Sequence, residues 1–212
     1  MCDGDRHVLV LDNSTCLLYE TYRAVPPALN DGRRWRASAV AVFNLSSNRL
    51  RPLGWTSADA AGLPILPGLI RYDEVAAGKI DHALRFTGPS SRAAYQLPAT
   101  HYAPTGADRG SPDAPWMGMR VRLRGDYACG RLPRAARVVC EALQTHGGIF
   151  ADNGSPWFFS GEATPAWEPL LAEVAGIKSI PSSAFDVLDA GCLCTSASCA
   201  KDRCARAFDQ SP

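Results

Sequence analysis

The stretch RLPRAARVVCEALQTHGGIFADNGSPWFFS, residues 131–160, decides the fold class. Its first half predicts a helix, because Pro133 suits a first-turn position and apolar residues recur at spacings of three and four until Gly147–Gly148 ends the pattern. Its second half predicts a hairpin, with residues 149–152 and 157–160 as strands around an Asn-Gly turn. A single strong helix beside short strands is typical of an α+β domain.

Further strands are predicted on both sides of this stretch. Short apolar or β-branched runs bounded by turn residues occupy residues 7–12, 16–22, 35–45, 81–87, 117–123 and 184–188. Residues 72–78 and 167–174 suit short helices. These strands do not alternate regularly with helices, so a doubly wound parallel sheet is not expected. We predict a strand-rich α+β fold: an antiparallel β-sandwich or curled sheet with one principal helix packed on it.

Length and composition define the expected domain and partners. The chain has 212 residues and a net charge of +1, with no apolar run of about 20 residues. We expect one globular domain over residues 1–190 and a cysteine-rich tail over residues 191–212. The low net charge argues against nucleic-acid binding, and the absence of a long apolar run argues against a membrane span. We expect a monomer.

The chain contains eight cysteines, which is unusual for a reducing compartment. Four of them lie between Cys192 and Cys204, where disulfides or an oxidisable tail are favoured over a four-thiolate zinc site. Cys2 with Cys16, or Cys129 with Cys140, could form a bridge, although a buried free thiol at Cys140 is equally compatible with the helix. The first residues lack the pattern of a signal peptide. Either the protein stays inside the cell or the sequence begins after processing; the cysteines favour the latter and an extracellular location.

Two carboxylates are candidates for acid/base chemistry. Glu20 lies within the apolar run LLYETY, and Asp152 ends a predicted strand. A carboxyl group in apolar surroundings has a raised pKa, which suits a general acid, while a better solvated partner can stay ionised. The alternative is that Glu20 faces solvent and Asp152 only shapes its turn. Asp59, in TSAD, is interpreted mainly as a cap or turn residue.

Other polar and aromatic residues could complete a site. His82 could assist the catalytic carboxylates, while Arg85 and His101 could position a substrate. Rings at loop edges suit stacking against sugars, so the predicted substrate-binding set also includes these residues: Trp55, Tyr102, Asn153 and Trp157. About half of the aromatic residues are expected to pack in the core instead. No phosphate-binding glycine loop, HExxH or GxSxG motif is present, and we expect no metal and no cofactor.

Several longer segments resemble a family. CLLYETY, GWTSADAAGLPILPGLIRYDEV, HALRFT, MGMRVRLR, ADNGSPWFFSG and SAFDVLD are similar to segments of a group of largely uncharacterised microbial proteins. The resemblance covers about residues 5–190. It implies a recurring, exported domain, and no established activity comes with it. The tail from Cys192 onward departs from this group.

The sequence leads to three functional hypotheses. The first is a secreted carbohydrate-active enzyme that hydrolyses a polysaccharide or related glycan through Glu20 and Asp152. The second is a noncatalytic glycan-binding or surface-interaction module. The third is a metal-dependent enzyme centred on His82 and His101.

Overall fold

The computed structural model describes residues 4–188 and 192–195. Within them the chain forms eight strands: β1 (Val8–Asp12), β2 (Leu17–Tyr22), β3 (Ala39–Asn44), β4 (Leu84–Gly88), β5 (Arg120–Leu123), β6 (Gly148–Asn153), β7 (Phe158–Phe159) and β8 (Phe185–Leu188). The described part also contains three α-helices: α1 (Tyr72–Ala77), α2 (Arg134–Thr145) and α3 (Leu171–Val174). The predicted α+β class with a principal helix on a sheet is confirmed.

The strands form two sheets. One is the antiparallel meander β1-β2-β3, in which Tyr19 lies opposite Val10 on one side and Val42 on the other. The other has the order β7-β4-β6-β5-β8 and is mixed, because β4 and β6 run parallel while the remaining neighbours are antiparallel. A parallel pair needs a long connection, and here that connection includes α2.

The predicted hairpin between β6 and β7 is wrong. Both strands pair with β4, one on each side, so β4 lies between them. The backbone of the predicted turn is hydrogen-bonded to β4 instead. Gly154 N donates to Gly88 O at 2.9 Å, and Thr87 Oγ1 donates to Ser155 O at 2.9 Å. Long-range pairing therefore overrides the local Asn-Gly signal.

Helix α2 forms as its apolar pattern predicts. Its buried residues lie at helical spacing: Ala135, Ala136, Val138, Val139, Cys140, Ala142 and Leu143. Pro133 precedes its first residue and accepts a hydrogen bond from Arg137 N at 2.8 Å. At the other end, Gly147 has a φ of +76°, a conformation that glycine adopts without a steric penalty. The helix contacts β5 of the mixed sheet.

The described cysteines are mostly oxidised. Cys129 and Cys140 form a disulfide with a Cα–Cα distance of 5.7 Å, which confirms that pairing, whereas Cys16 is an exposed free thiol. Cys192 and Cys194 are also disulfide-bonded. Cys194 is buried and pairs with the backbone of Tyr95, so the start of the expected tail contacts the domain. Cys2, Cys199 and Cys204 lie outside the described residues.

Candidate functional site

A cluster of buried charged residues lies where strands β2, β4 and β6 approach the loop that follows residue 54. Strand β2 contributes Glu20, the loop contributes Asp59, β4 contributes Arg85 and β6 contributes Asp152. Glu20, Asp59 and Arg85 are 0%, 1% and 8% exposed. Charged groups are rarely removed from water unless they are paired, so this cluster is the strongest candidate for a site in the described part of the chain.

Arg85 and Asp59 form a two-pronged ion pair. Arg85 Nε donates to Asp59 Oδ2 at 3.1 Å, and one amino group of Arg85 donates to Oδ1. The other amino group donates to the hydroxyl of Ser160. Burial alone would lower the pKa of Arg85, but the adjacent charge of Asp59 raises it above its ordinary value. Arg85 is therefore a fixed cation at the centre of the cluster.

Asp152 is the more accessible carboxyl group of the cluster. It is half-buried and hydrogen-bonded to the side chain of Asp59. Burial, followed by the charge of Asp59, raises the pKa of Asp152 to about 7. Burial also raises the pKa of Asp59, while the charge and hydrogen bonds of Arg85 oppose that increase. Since Asp59 contacts Arg85 directly, we place the shared proton on Asp152 and the negative charge on Asp59. This arrangement holds a carboxylic acid in its protonated form near neutral pH, beside a carboxylate.

Glu20 connects the meander to the loop that carries Asp59. Its Oε1 accepts hydrogen bonds from Ile65 N at 2.8 Å and Leu66 N at 2.9 Å, and its Oε2 accepts from Ile65 N at 2.8 Å. Burial raises the pKa of Glu20, while these N–H groups and Arg85 oppose the increase. The carboxyl group therefore lies in the same electrostatic cluster as Asp152, but both of its oxygens are taken up by backbone donors.

The loop that presents Asp59 is held in place by short-range contacts. Ser57 Oγ accepts from Asp59 N at 3.0 Å and donates to Leu63 O at 2.6 Å. Gly62 has a φ of +76°, and a Cβ there would lie 2.7 Å from the carbonyl oxygen of Trp55. At Gly68 a Cβ would lie 3.0 Å from Arg85 Cβ. Glycine at position 62 therefore allows close packing against the Trp55 carbonyl, and glycine at position 68 allows the loop to approach β4 closely.

The two predicted histidines lie in different surroundings. His82 Nδ1 is 2.9 Å from Ala83 O, and His82 Nε2 is 3.1 Å from Glu74 Oε2, so its partners are helix α1 and the residue that follows it in the chain. His101 Nδ1 is 2.8 Å from Ala60 O, next to Asp59 in sequence. His101 thus supports the loop of the charged cluster, whereas His82 is engaged with Glu74.

The predicted substrate-binding rings also separate into different settings. Trp55 is 59% exposed. Tyr102 is half-buried, stacks against His101 and donates from its hydroxyl to Thr195 O at 3.2 Å. Trp157 packs edge-on against Phe86 and Phe185, with ring centroids 4.9 Å and 4.7 Å away. Trp55 is therefore the ring of this set that presents most of its surface to solvent.

Asn153, the remaining predicted binding residue, anchors the irregular span that follows β4 to the end of β6. Its Nδ2 donates to Ala103 O at 2.8 Å, and its Oδ1 accepts from Ser91 Oγ at 2.7 Å. Both ends of the amide therefore have protein partners. Asn153 fixes the long irregular span after β4 next to Asp152.

Sequence reasoning missed the central role of Asp59 in this cluster. The sequence TSAD suits a turn, and Asp59 does lie in one, but its side chain also pairs with Arg85 26 residues later. Ser160 was likewise missed as a partner of Arg85. One signal in the sequence was the lone arginine in the apolar run HALRFT, since a buried arginine requires an acidic partner.

The described residues contain neither a metal-binding cluster nor a membrane-spanning helix. Across residues 4–188 and 192–195, no group of three or more histidine, cysteine, aspartate or glutamate side chains could hold a metal ion. Over those ranges no helix has the length and apolar character needed to cross a bilayer.

No family model, no curated protein and no solved structure matches the chain.

Proposed function

We propose that the chain is a secreted hydrolase of polysaccharides or related glycans that works by carboxyl acid/base chemistry, with Asp152 as the general acid. The observation that supports this proposal is the hydrogen-bonded pair Asp152 and Asp59, in which the pKa of Asp152 is raised to about 7. A general acid is most effective when its pKa lies near the working pH. Glycoside hydrolysis requires such an acid to protonate the oxygen of the leaving group.

In this proposal the residues of the cluster have different roles. Asp152 is half-buried and donates a proton to the oxygen of the leaving group. Asp59, which is 1% exposed and paired with Arg85, tunes the acidity of Asp152 and is not assigned contact with substrate. Water attacks the anomeric carbon as the protonated leaving group departs, and the Asp152 carboxylate takes up the proton that the water releases. Glu20 positions the loop of Asp59 through Ile65 and is not assigned direct contact with substrate, because it is 0% exposed.

Secretion and family membership are parts of the same proposal. The Cys129–Cys140 disulfide and the oxidised Cys192 and Cys194 are compatible with an oxidising compartment. We also propose that the chain belongs with the exported microbial proteins that share the GWTSADAAGLPILPG segment.

The test is a screen of neutral and acidic polysaccharides for new reducing ends. Wild-type protein is compared with Asp152→Asn and with Asp186→Asn, which changes an exposed aspartate on β8. We expect activity that decreases as pH rises through about 7, because Asp152 then loses its proton. Asp152→Asn is expected to reduce kcat by about 100-fold or more, while Asp186→Asn has no effect.

Three results would count against the proposal. Activity retained by folded Asp152→Asn would remove Asp152 from the mechanism. Binding on a glycan array without new reducing ends after long incubation would favour the noncatalytic glycan-binding module. Neither binding nor cleavage of any glycan would reject both hypotheses.

A further inference from the structure

A cavity of about 550 Å³ lies next to Arg85. It is bordered by residues 43–51, which include the end of β3, by residues 62–68 of the Asp59 loop, and by β4 and β6. Arg85 lines it, whereas Asp59 and Asp152 do not. Its volume falls within the range of about 300–1,000 Å³ that is usual for small-molecule sites.

The walls of the cavity are mainly apolar. Representative lining side chains come from both sheets and both loops: Phe43, Leu50, Leu63, Pro64, Leu84 and Ile149. Such walls favour a ligand with an apolar body, because its burial removes the apolar surfaces of both the ligand and the cavity wall from water.

The charged side chains that line the cavity are all positive. Among the described residues that line it there are three arginines, Arg49, Arg51 and Arg85, and no aspartate or glutamate. Arg85 is neutralised by Asp59. Within the described part of the chain, neither Arg49 nor Arg51 forms an ion pair. The cavity therefore has an excess of positive charge.

Arg51 is held in place by two aromatic rings and a carbonyl oxygen. Its guanidinium group lies 5.4 Å from the ring centre of Phe43 and 5.8 Å from that of Trp55, and one amino group donates to Thr56 O at 2.8 Å. Its Nε is buried and has no hydrogen-bond partner among the described residues. A buried N–H of a charged group normally has an acceptor, and a ligand oxygen is one group that could supply it.

We propose that the cavity binds a small amphipathic carboxylate, with its apolar body against Leu50, Leu63 and Ile149 and its carboxylate on Arg51. The Nε and the adjacent amino group of an arginine form a planar fork that matches the two oxygens of a carboxylate. Arg49 adds a second positive charge at the same wall. This inference does not depend on glycan hydrolysis, because the carboxyl pair does not line the cavity.

The experiment measures binding of 3-phenylpropanoate and of its neutral amide to the full chain by calorimetry. We expect the carboxylate to bind at least about tenfold more tightly than the amide, and Arg51→Met to abolish that preference. Arg33→Met, at an exposed arginine outside the cavity, serves as the matched control and keeps the preference. Circular dichroism checks that both variants fold.

A second measurement locates the ligand without relying on a variant. In protein with labelled Ile and Leu methyl groups, 3-phenylpropanoate is expected to shift the NMR signals of Leu50, Leu63 and Ile149. Equal binding of the carboxylate and the amide, binding that leaves these three signals unchanged, or no binding of either compound would overturn the proposal.

Discussion

Replacing Asp152 by asparagine should change how stability depends on pH. The folded protein holds a proton on Asp152 up to about pH 7, whereas the unfolded chain releases it near 3.8. Between these values the folded state binds more protons than the unfolded state, so the stability due to this group is complete below about pH 4 and is lost as pH rises through about 7. The amide of the asparagine variant does not titrate, so this loss is absent there.

The magnitude follows from the two pKa values. The difference between 3.8 and about 7 corresponds to about 4 kcal/mol at about 1.4 kcal/mol per pH unit. Asp152 is half-buried, so solvent screening reduces the expected effect to about 2–4 kcal/mol. The free energy of unfolding of wild type, minus that of Asp152→Asn, should therefore fall by about 2–4 kcal/mol between about pH 4 and pH 8.

Urea unfolding at a series of pH values, with disulfides intact, measures this difference. Glu20 and Asp59 are present in both proteins, so the subtraction isolates Asp152 together with its coupling to Asp59. Asp186→Asn should give a nearly constant difference because its side chain is exposed. If the difference for Asp152→Asn is equally constant, or rises with pH, the reasoning about the shared proton is refuted.

Three further substitutions test residues that stabilise the candidate site and the fold around it. Glu20→Gln replaces one acceptor of the Ile65 and Leu66 N–H groups by a donor and should lower the free energy of unfolding by about 1–3 kcal/mol in urea; an unchanged value would contradict the role of this tether. Gly62→Ala should cost more than about 2 kcal/mol, because of the positive φ and the nearby Trp55 carbonyl, whereas Gly125→Ala, with open space around it, should cost less than about 1 kcal/mol; equal costs would count against the close fit of the loop. Cys140→Ser removes a bridge between residues 11 apart in sequence and should lower the free energy of unfolding by about 3 kcal/mol in oxidised samples. The loss should become smaller when both proteins are compared under reducing conditions, where only the buried serine hydroxyl still destabilises the variant; an equal loss in both conditions would count against a stabilising disulfide.

The sequence determined the elements that depend on local pattern. Helix α2 forms over Arg134–Thr145 because its apolar spacing, its preceding proline and its following glycines all agree. The short helix α1 and the strands β1, β2 and β8 also lie close to their predicted positions. In each case burial of one face and the flanking turn residues act over only a few positions.

Only the tertiary structure decided how distant segments pair. The Asn-Gly turn after β6 predicted a hairpin, but β4 offered partners on both of its edges and separated β6 from β7. The same insertion places Arg85 between Asp59 and Ser160, residues that lie 26 and 75 positions away from it in sequence. A local sequence pattern does not predict such pairings, because they depend on which strand edges remain free in the folded chain.

The candidate site was also predicted only in part from the sequence, and the rest depends on the tertiary structure. Glu20 and Asp152 could be singled out from sequence because a carboxylate in or beside an apolar run implies desolvation. The surroundings of these two carboxyl groups could not be predicted from the sequence. Asp59 was interpreted as a turn residue, and its ion pair with Arg85 and its hydrogen bond to Asp152 arise only when the loop folds over β4. Residue type determined which groups could ionise, and the folded arrangement of neighbouring charges determined which of them holds the proton near neutral pH.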